Sequence, residues 1–215
     1  MLISFEGIEG SGKSTQMAFV GRYLTDRGIP CRITREPGGT RIGKKIRAIL
    51  LDPDSRGMAP LTELMLYMAD RAQHLAERVR PQLEQGLTVL CDRCIDATIV
   101  YQGYARGLGA GFVRDLHRMV FSGLYPDLTF VLDLPPEAGL TRAWRQIEQG
   151  RRKMDETRFE EERSAFHRRV RNGYLALARE EPGRIRVVDA SMSRKAVTDQ
   201  IVAGLTAFLA DASQP

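Results

Sequence analysis

The sequence predicts an α/β fold in which a five-stranded parallel sheet is covered on both faces by helices. Three observations carry this. Five short apolar runs recur along the 215 residues, each is separated from the next by a helix-compatible stretch, and the first run ends in a glycine-rich turn that opens a helix. Strands alternating with helices imply a three-layer parallel sheet, and strands buried on both faces read as apolar runs.

The first strand is Leu2-Ile-Ser-Phe5, and a helix-compatible segment runs from Gln16 to Arg27. Between them lies Gly7-Ile-Glu-Gly-Ser-Gly-Lys13-Ser14-Thr15, a glycine, four free positions, then Gly-Lys-Ser/Thr. In that setting the pattern is a phosphate-binding loop, the P-loop. Its glycines let backbone N–H groups point inward, and the helix start adds a positive dipole end. The candidate triphosphate-binding residues are therefore Gly7, Ile8, Glu9, Gly10, Ser11, Gly12, Lys13, Ser14 and Thr15. Lys13 reaches the terminal phosphates as a point charge, and the Ser14 hydroxyl suits a Mg²⁺ bridging them.

Cys31-Arg-Ile-Thr34 is the second strand, followed by the turn Glu36-Pro-Gly-Gly39 and a helix from about Arg41 to Leu51. Apolar residues at helical spacing predict one long helix over Leu61 to Gln85. Thr88 to Asp92 is the third strand; a glycine-rich piece from Gly103 to Gly111 then precedes a helix ending near Phe121. Asp127 to Asp133 is the fourth strand, stopped by Pro135-Pro136. Helices over Pro136 to Gln149 and Glu160 to Glu181, a strand Arg184 to Val188 and a helix from Arg194 to Leu209 complete the chain. With no internal repeat and no composition shift, residues 1–215 read as a single domain.

Composition narrows the function. The 43% hydrophobic and 27% charged fractions are those of a soluble globule. No apolar run approaches the ~20 residues of a membrane span, and the chain begins directly in a strand, so a cytoplasmic protein with no membrane partner is expected. The net charge of +5 is scattered, densest from Arg142 to Arg171 where Glu156, Glu160, Glu161 and Glu162 interleave. It reads as cations gathered around phosphates, and no nucleic-acid partner is expected. Cys91-Asp-Arg-Cys94 lacks a second ligand pair, and Cys31 stands alone, so the three thiols read as incidental.

The loop by itself does not separate a switch, a motor and a kinase. A regulatory GTPase would read guanine with Asn-Lys-x-Asp, but the only asparagine is Asn172, followed by Gly173; Asp54-Ser-Arg-Gly57 lies in a polar loop. A phosphotransferase needs a second anion site facing the first. In parallel sheets ligands sit at the carboxyl ends of strands, where Arg35, Asp92 and Arg93 fall, with Arg71 on the long helix running past them. Arg93 is the strongest candidate, since it follows the strand-ending Asp92 and arginine grips phosphate bidentately. A cationic lid is offered by residues 142–160, with Arg142, Arg145, Arg151, Arg152 and Arg158 around Gly150. Closing such a loop excludes water and neutralises charge on a moving phosphoryl group.

Taken together these residues resemble the bacterial thymidylate kinases, of the P-loop nucleoside monophosphate kinase family. The resemblance rests on Glu6 to Thr15, Thr34-Arg-Glu-Pro-Gly-Gly-Thr40, Leu64-Met-Leu-Tyr-Met-Ala-Asp-Arg71, Asp92-Arg93 with Tyr101-Gln102, Pro126-Asp-Leu-Thr129, and Phe166-His167 with Gly173-Tyr174. It implies phosphorylation of dTMP to dTDP with ATP and Mg²⁺ for dTTP synthesis, and a homodimer. The catalytic set it implies is Lys13, Arg93 and lid arginines among Arg142, Arg151 and Arg152; the metal falls to Ser14 and, through water, Asp92. The dTMP site it implies is Glu9 near the 3′-hydroxyl, Arg93 on the phosphate, Tyr67 on the thymine and Arg71 on its carbonyl edge, with Tyr101 against the sugar. Arg35, Thr98 and Gln102 complete that set. Ala97 and Cys94 depart from the commoner residues. Two alternatives stay open, namely a kinase for another nucleoside monophosphate or a deoxynucleoside, and a nucleic-acid-associated P-loop ATPase.

Overall fold

β1 (Leu2–Glu6) is buried along its whole length and forms the middle of the sheet. The structure, a computed structural model, describes residues 1–151 and 153–211. Helix α1 (Lys13–Thr25) leaves the loop after Gly12, whose φ of 96° sets the turn, so it starts three residues before the segment read from sequence. It buries Met17, Val20, Gly21 and Leu24, an i, i+3/i+4 face laid on the sheet. β2 (Cys31–Arg35) follows, then α2 (Arg41–Leu51), capped by the Thr40 hydroxyl accepting from the Gly43 N–H.

The long helix is present, with a change of winding inside it. α3 (Pro60–His74) passes into a π-wound turn over Leu75–Val79 and resumes as α4 (Arg80–Glu84). Pro81 supplies the reason: it has no N–H to bond the Glu77 carbonyl and its ring crowds that oxygen, so the turn before it widens. β3 (Thr88–Asp92) leads to an element that sequence reading left unassigned. α5 (Ile95–Thr98) runs on as a π-wound stretch over Ile99–Ala105. Nearly every residue in it is buried, so no polar face marks a helical period, and its β-branched residues lower helix propensity.

α6 (Ala110–Phe121), β4 (Leu128–Asp133) and α7 (Pro136–Glu148) follow. α8 (Ser164–Glu180) begins four residues later than the pattern suggested, after a turn at residues 158–161. β5 (Ile185–Asp189) and α9 (Arg194–Asp211) complete the described chain.

The five strands are parallel in the order β2-β3-β1-β4-β5. Their carboxyl ends are level: Phe5 lies opposite Asp92 and Phe130, Arg35 opposite Asp92, and Asp133 opposite Asp189. The order reverses on either side of β1, which opens a crevice above the ends of β1 and β3. The core below is continuous, with Phe5 and Phe130 at 5.6 Å between ring centroids.

Candidate active site

The crevice holds a cleft of about 850 Å³, whose floor is the loop after β1. Gly10 has a φ of 71°, and a Cβ on it would stand 2.1 Å from the Gly139 carbonyl oxygen of α7. Only glycine fits that approach. Gly139 is equally confined, since its own Cβ would meet the Glu9 carbonyl at 2.5 Å. Lys13 is nearly buried and its Nζ donates to the carbonyls of Gly7 (3.0 Å) and Ile8 (2.9 Å). Burial and the charge of Arg93 bring its pKa down to about 8. Gly7 and Ile8 lie behind the loop, with the Ile8 side chain in the core, so backbone is what they offer. Glu9 through Thr15 line the cleft itself. Ser14 is exposed and its Oγ donates to Asp92 Oδ2 at 3.3 Å.

Facing the loop, Arg93 sits at the end of β3 with a φ of 70°. A left-handed arginine costs on the order of 1–3 kcal/mol and persists only where surroundings over-determine it. Here they do. Its N–H donates to the Phe5 carbonyl (3.1 Å), Nη1 to the Tyr174 hydroxyl (3.1 Å) and Nη2 to Glu9 Oε1 (2.9 Å), while the guanidinium lies 5.0 Å from the Tyr101 ring centre. Glu6 anchors the same turn, accepting from the Cys94 N–H and the Tyr174 hydroxyl, each at 2.7 Å. Burial, helped by the Asp96 charge, pushes the Glu6 carboxyl up to about 8.

Arg71 is 1% exposed yet lines the cleft. Its Nε donates to Glu36 Oε2 (2.8 Å) and its Nη2 to Thr98 Oγ1 (2.9 Å). Burial works to raise Glu36, but Arg71 and His74 outweigh it and hold the carboxyl below its usual range. The buried pair thus has partners on both sides, which a desolvated ion pair requires. Tyr67, Tyr101 and Gln102 line this half as well, and Arg35 reaches it from β2 with an exposed side chain. Residues named from five separated segments are therefore neighbours around one space.

The segment after α7 forms the remaining wall through Arg151, Lys153, Asp155, Glu156 and Phe159. The cationic reading of residues 142–160 divides here. Residues up to 148 belong to α7; Arg142 is exposed, donates to the Ala190 carbonyl at 3.4 Å, and is not among the cleft-lining residues. Arg158 is committed elsewhere: buried, it donates to the Leu50 carbonyl (2.8 Å) and pairs with Glu63, which also holds Arg106 and Gln102. Arg151 faces the cleft, and Arg152 lies outside the described residues. Lys44 and Arg47 of α2 were not singled out from sequence, although their i, i+3 spacing after the Thr40 cap puts both on one helix face. Arg47 donates to Glu156 at 2.7 and 3.0 Å and to the Pro37 carbonyl at 3.2 Å, tying α2 to the opposite wall.

A phosphate cradle at the sheet's carboxyl edge, with a second cationic cradle facing it across one cleft, defines the chain as a P-loop nucleotide kinase. Comparison with known proteins refines the class. The family model described as thymidylate kinase matches residues 5–201. A thymidylate kinase of Desulfosudis oleivorans is 52% identical over 95% of this chain and 96% of its own length. That of Nitratidesulfovibrio vulgaris is 48% identical over 100% of both. The crystal structure of thymidylate kinase from Ehrlichia chaffeensis superposes with a TM-score of 0.72 at 32% identity, covering 95% of this chain and 98% of that one. The chain belongs to the thymidylate kinase family, and it phosphorylates dTMP to dTDP with ATP.

Proposed function

We propose that this cleft seats ATP and dTMP end to end, the ATP phosphates in the Gly7–Thr15 loop and dTMP in the half bounded by Arg93, Arg71 and Tyr67. What carries the reading is that Lys13 and Arg93, from separate strand ends, open on the same cleft. Lys13 exchanges its carbonyl contacts for the terminal phosphates, and Arg93 holds the dTMP phosphate through the guanidinium face that Glu9 and Tyr174 leave open. Tyr67 covers the thymine ring and Arg71, with Thr98 and Gln102, reads its polar edge; Tyr101 and Glu9 bound the sugar, and Arg35 adds charge from β2. The acceptor phosphate is already anionic at neutral pH, so positioning and charge stabilisation suffice without a general base. Arg151 and Arg152 are the lid cations we assign within residues 142–160, drawing towards the phosphates on closure, with Arg142 adding charge from α7.

The donor set also fits Mg²⁺. Ser14 and Asp92 offer a hydroxyl and a carboxylate 3.3 Å apart at the loop's mouth, hard oxygens for an ion that keeps several waters and takes few protein ligands. Ser14 would hold the ion and Asp92 would support it through water, and the positive charge supplied there would offset that of the phosphates. The whole chain acts as one kinase unit, cytoplasmic and supplying dTTP synthesis. No described helix is long and apolar enough to cross a membrane. A homodimer is the assembly we assign, supported by Ile42, Ile49, Leu61 and Met65 standing exposed on the packed helices α2 and α3.

The test is ADP release from ATP and Mg²⁺ with dTMP, dUMP, dGMP, dCMP, UMP and thymidine offered separately, for wild type and Arg93→Ala. Turnover is expected to be strongest with dTMP. In the variant kcat/KM for dTMP falls by roughly 100-fold or more, the loss of a charge-assisted contact in a desolvated site. An Arg93→Ala enzyme with wild-type kinetics would remove dTMP from this half of the cleft.

A further inference from the structure

The two oxygens of the cleft carboxylate Glu9 stand in different surroundings. Oε1 accepts from Arg93 Nη2 (2.9 Å) and from the Tyr101 hydroxyl (2.8 Å). Oε2 is buried and has no hydrogen-bond partner among the described residues. Directly opposite it, at 3.6 Å, is Nδ1 of His167, a fully buried residue of α8 whose two ring nitrogens are likewise unpartnered. Three buried polar atoms without partners in one place is costly, and a donor and an acceptor facing each other just beyond hydrogen-bond length is the arrangement that resolves the cost. Such contacts lengthen in unliganded sites and tighten when substrate binds. Nothing in the loop, the arginines or the lid accounts for an imidazole at this point.

We propose that His167 is a positioning residue of the dTMP site: its Nδ1–H donates to Glu9 Oε2 and fixes the rotation of the carboxylate, so that Oε1 keeps Arg93 and Tyr101 in place. The imidazole touches no reacting atom. It acts through Glu9, and its ring is held edge-on by Phe166, at 5.7 Å between centroids and 89° between planes. With the donor gone, the carboxylate is free to turn about its last bond, and the arginine and tyrosine lose a shared fixed acceptor. His167 meets the loop through the Glu9 side chain, and the ATP half, built on Lys13 and loop backbone, stays as it was.

The inference rests on reading the Arg93 half as the dTMP site, and the experiment separates the two. Steady-state kinetics with dTMP and ATP varied in turn are compared for wild type, His167→Leu, His167→Asn and Arg93→Ala. In His167→Leu, KM for dTMP rises roughly 10- to 100-fold while KM for ATP stays within about twofold; His167→Asn, whose amide can take the place of Nδ1–H, recovers most of the loss. Wild-type KM for dTMP in His167→Leu overturns the proposal, as does equal impairment of leucine and asparagine variants with KM for ATP raised alongside. A response in Arg93→Ala beside none in His167→Leu overturns this inference alone; no response in Arg93→Ala overturns the site reading with it. Should His167→Leu not fold, the nitrogen-15 spectrum of the wild-type imidazoles decides, with the His167 signals identified from His167→Asn. A proton on Nδ1 agrees with the proposal, and a neutral ring protonated only at Nε2 overturns it.

Discussion

Lys13 shows how far one residue's chemistry depends on what surrounds it. Its spacing in the loop was legible at once, because a phosphate cradle needs a lysine at that step from its glycines. Its pKa of about 8 was not, because that comes from burial and from Arg93, a residue 80 positions later in the chain. A lysine whose folded pKa is lowered gives up its proton earlier than the unfolded chain does. The free protein therefore gains stability from this group as pH rises from about 8 towards its ordinary value of 10.5, while losing the charge that triphosphate needs. We expect kcat/KM for ATP, which reports the free enzyme, to fall as pH rises through about 8, and the same limb in kcat to move upward, because bound phosphates favour the charged amine. Coincident limbs in the two profiles would refute this account. Glu6, Tyr174 and His167 entered the sequence reading only as parts of the family resemblance, with no role attached; each acts through a partner far along the chain, and no local spacing encodes such contacts.

At the scale of elements, α7 is joined to the loop by two glycines, Gly10 and Gly139, that let backbone meet backbone. The loop glycine was predictable from its motif, whereas nothing local singles out Gly139, and glycine inside a helix weakens it by roughly 1 kcal/mol relative to alanine. Its retention is explained by the Glu9 carbonyl that a Cβ would strike. Gly139→Ala should therefore strengthen the helix yet displace the loop, raising KM for ATP by roughly tenfold with little change in thermal stability, as measured by steady-state kinetics and melting. An unaltered KM for ATP would show that the loop yields freely. Two stretches depart from the simple helical pattern, each for its own reason. The Ile95–Ala105 stretch is buried on nearly all sides and Leu75–Val79 is wound wide ahead of Pro81, so in both places packing and ring sterics override the 3.6-residue pattern.

For the whole molecule, α2 and α3 pack on one another and still leave Ile42, Ile49, Leu61 and Met65 exposed, apolar surface that the proposed homodimer would cover. Light scattering should give twice the chain mass for wild type, and Ile49→Asp with Met65→Asp should shift it to the single-chain mass at low concentration; a wild-type monomer would end the dimer assignment. The sequence by itself determined the α/β class, the five strands and the phosphate loop, because alternating apolar runs and a glycine-rich loop are local patterns with local causes. Only the tertiary structure decided which cations are free to meet phosphate. Arg158 is spent on Glu63 and Arg47 on Glu156, Arg151 reaches the cleft, and His167 stands against Glu9. Those outcomes depend on burial and on partners 95 or more residues away, and neither is written in the spacing of one segment.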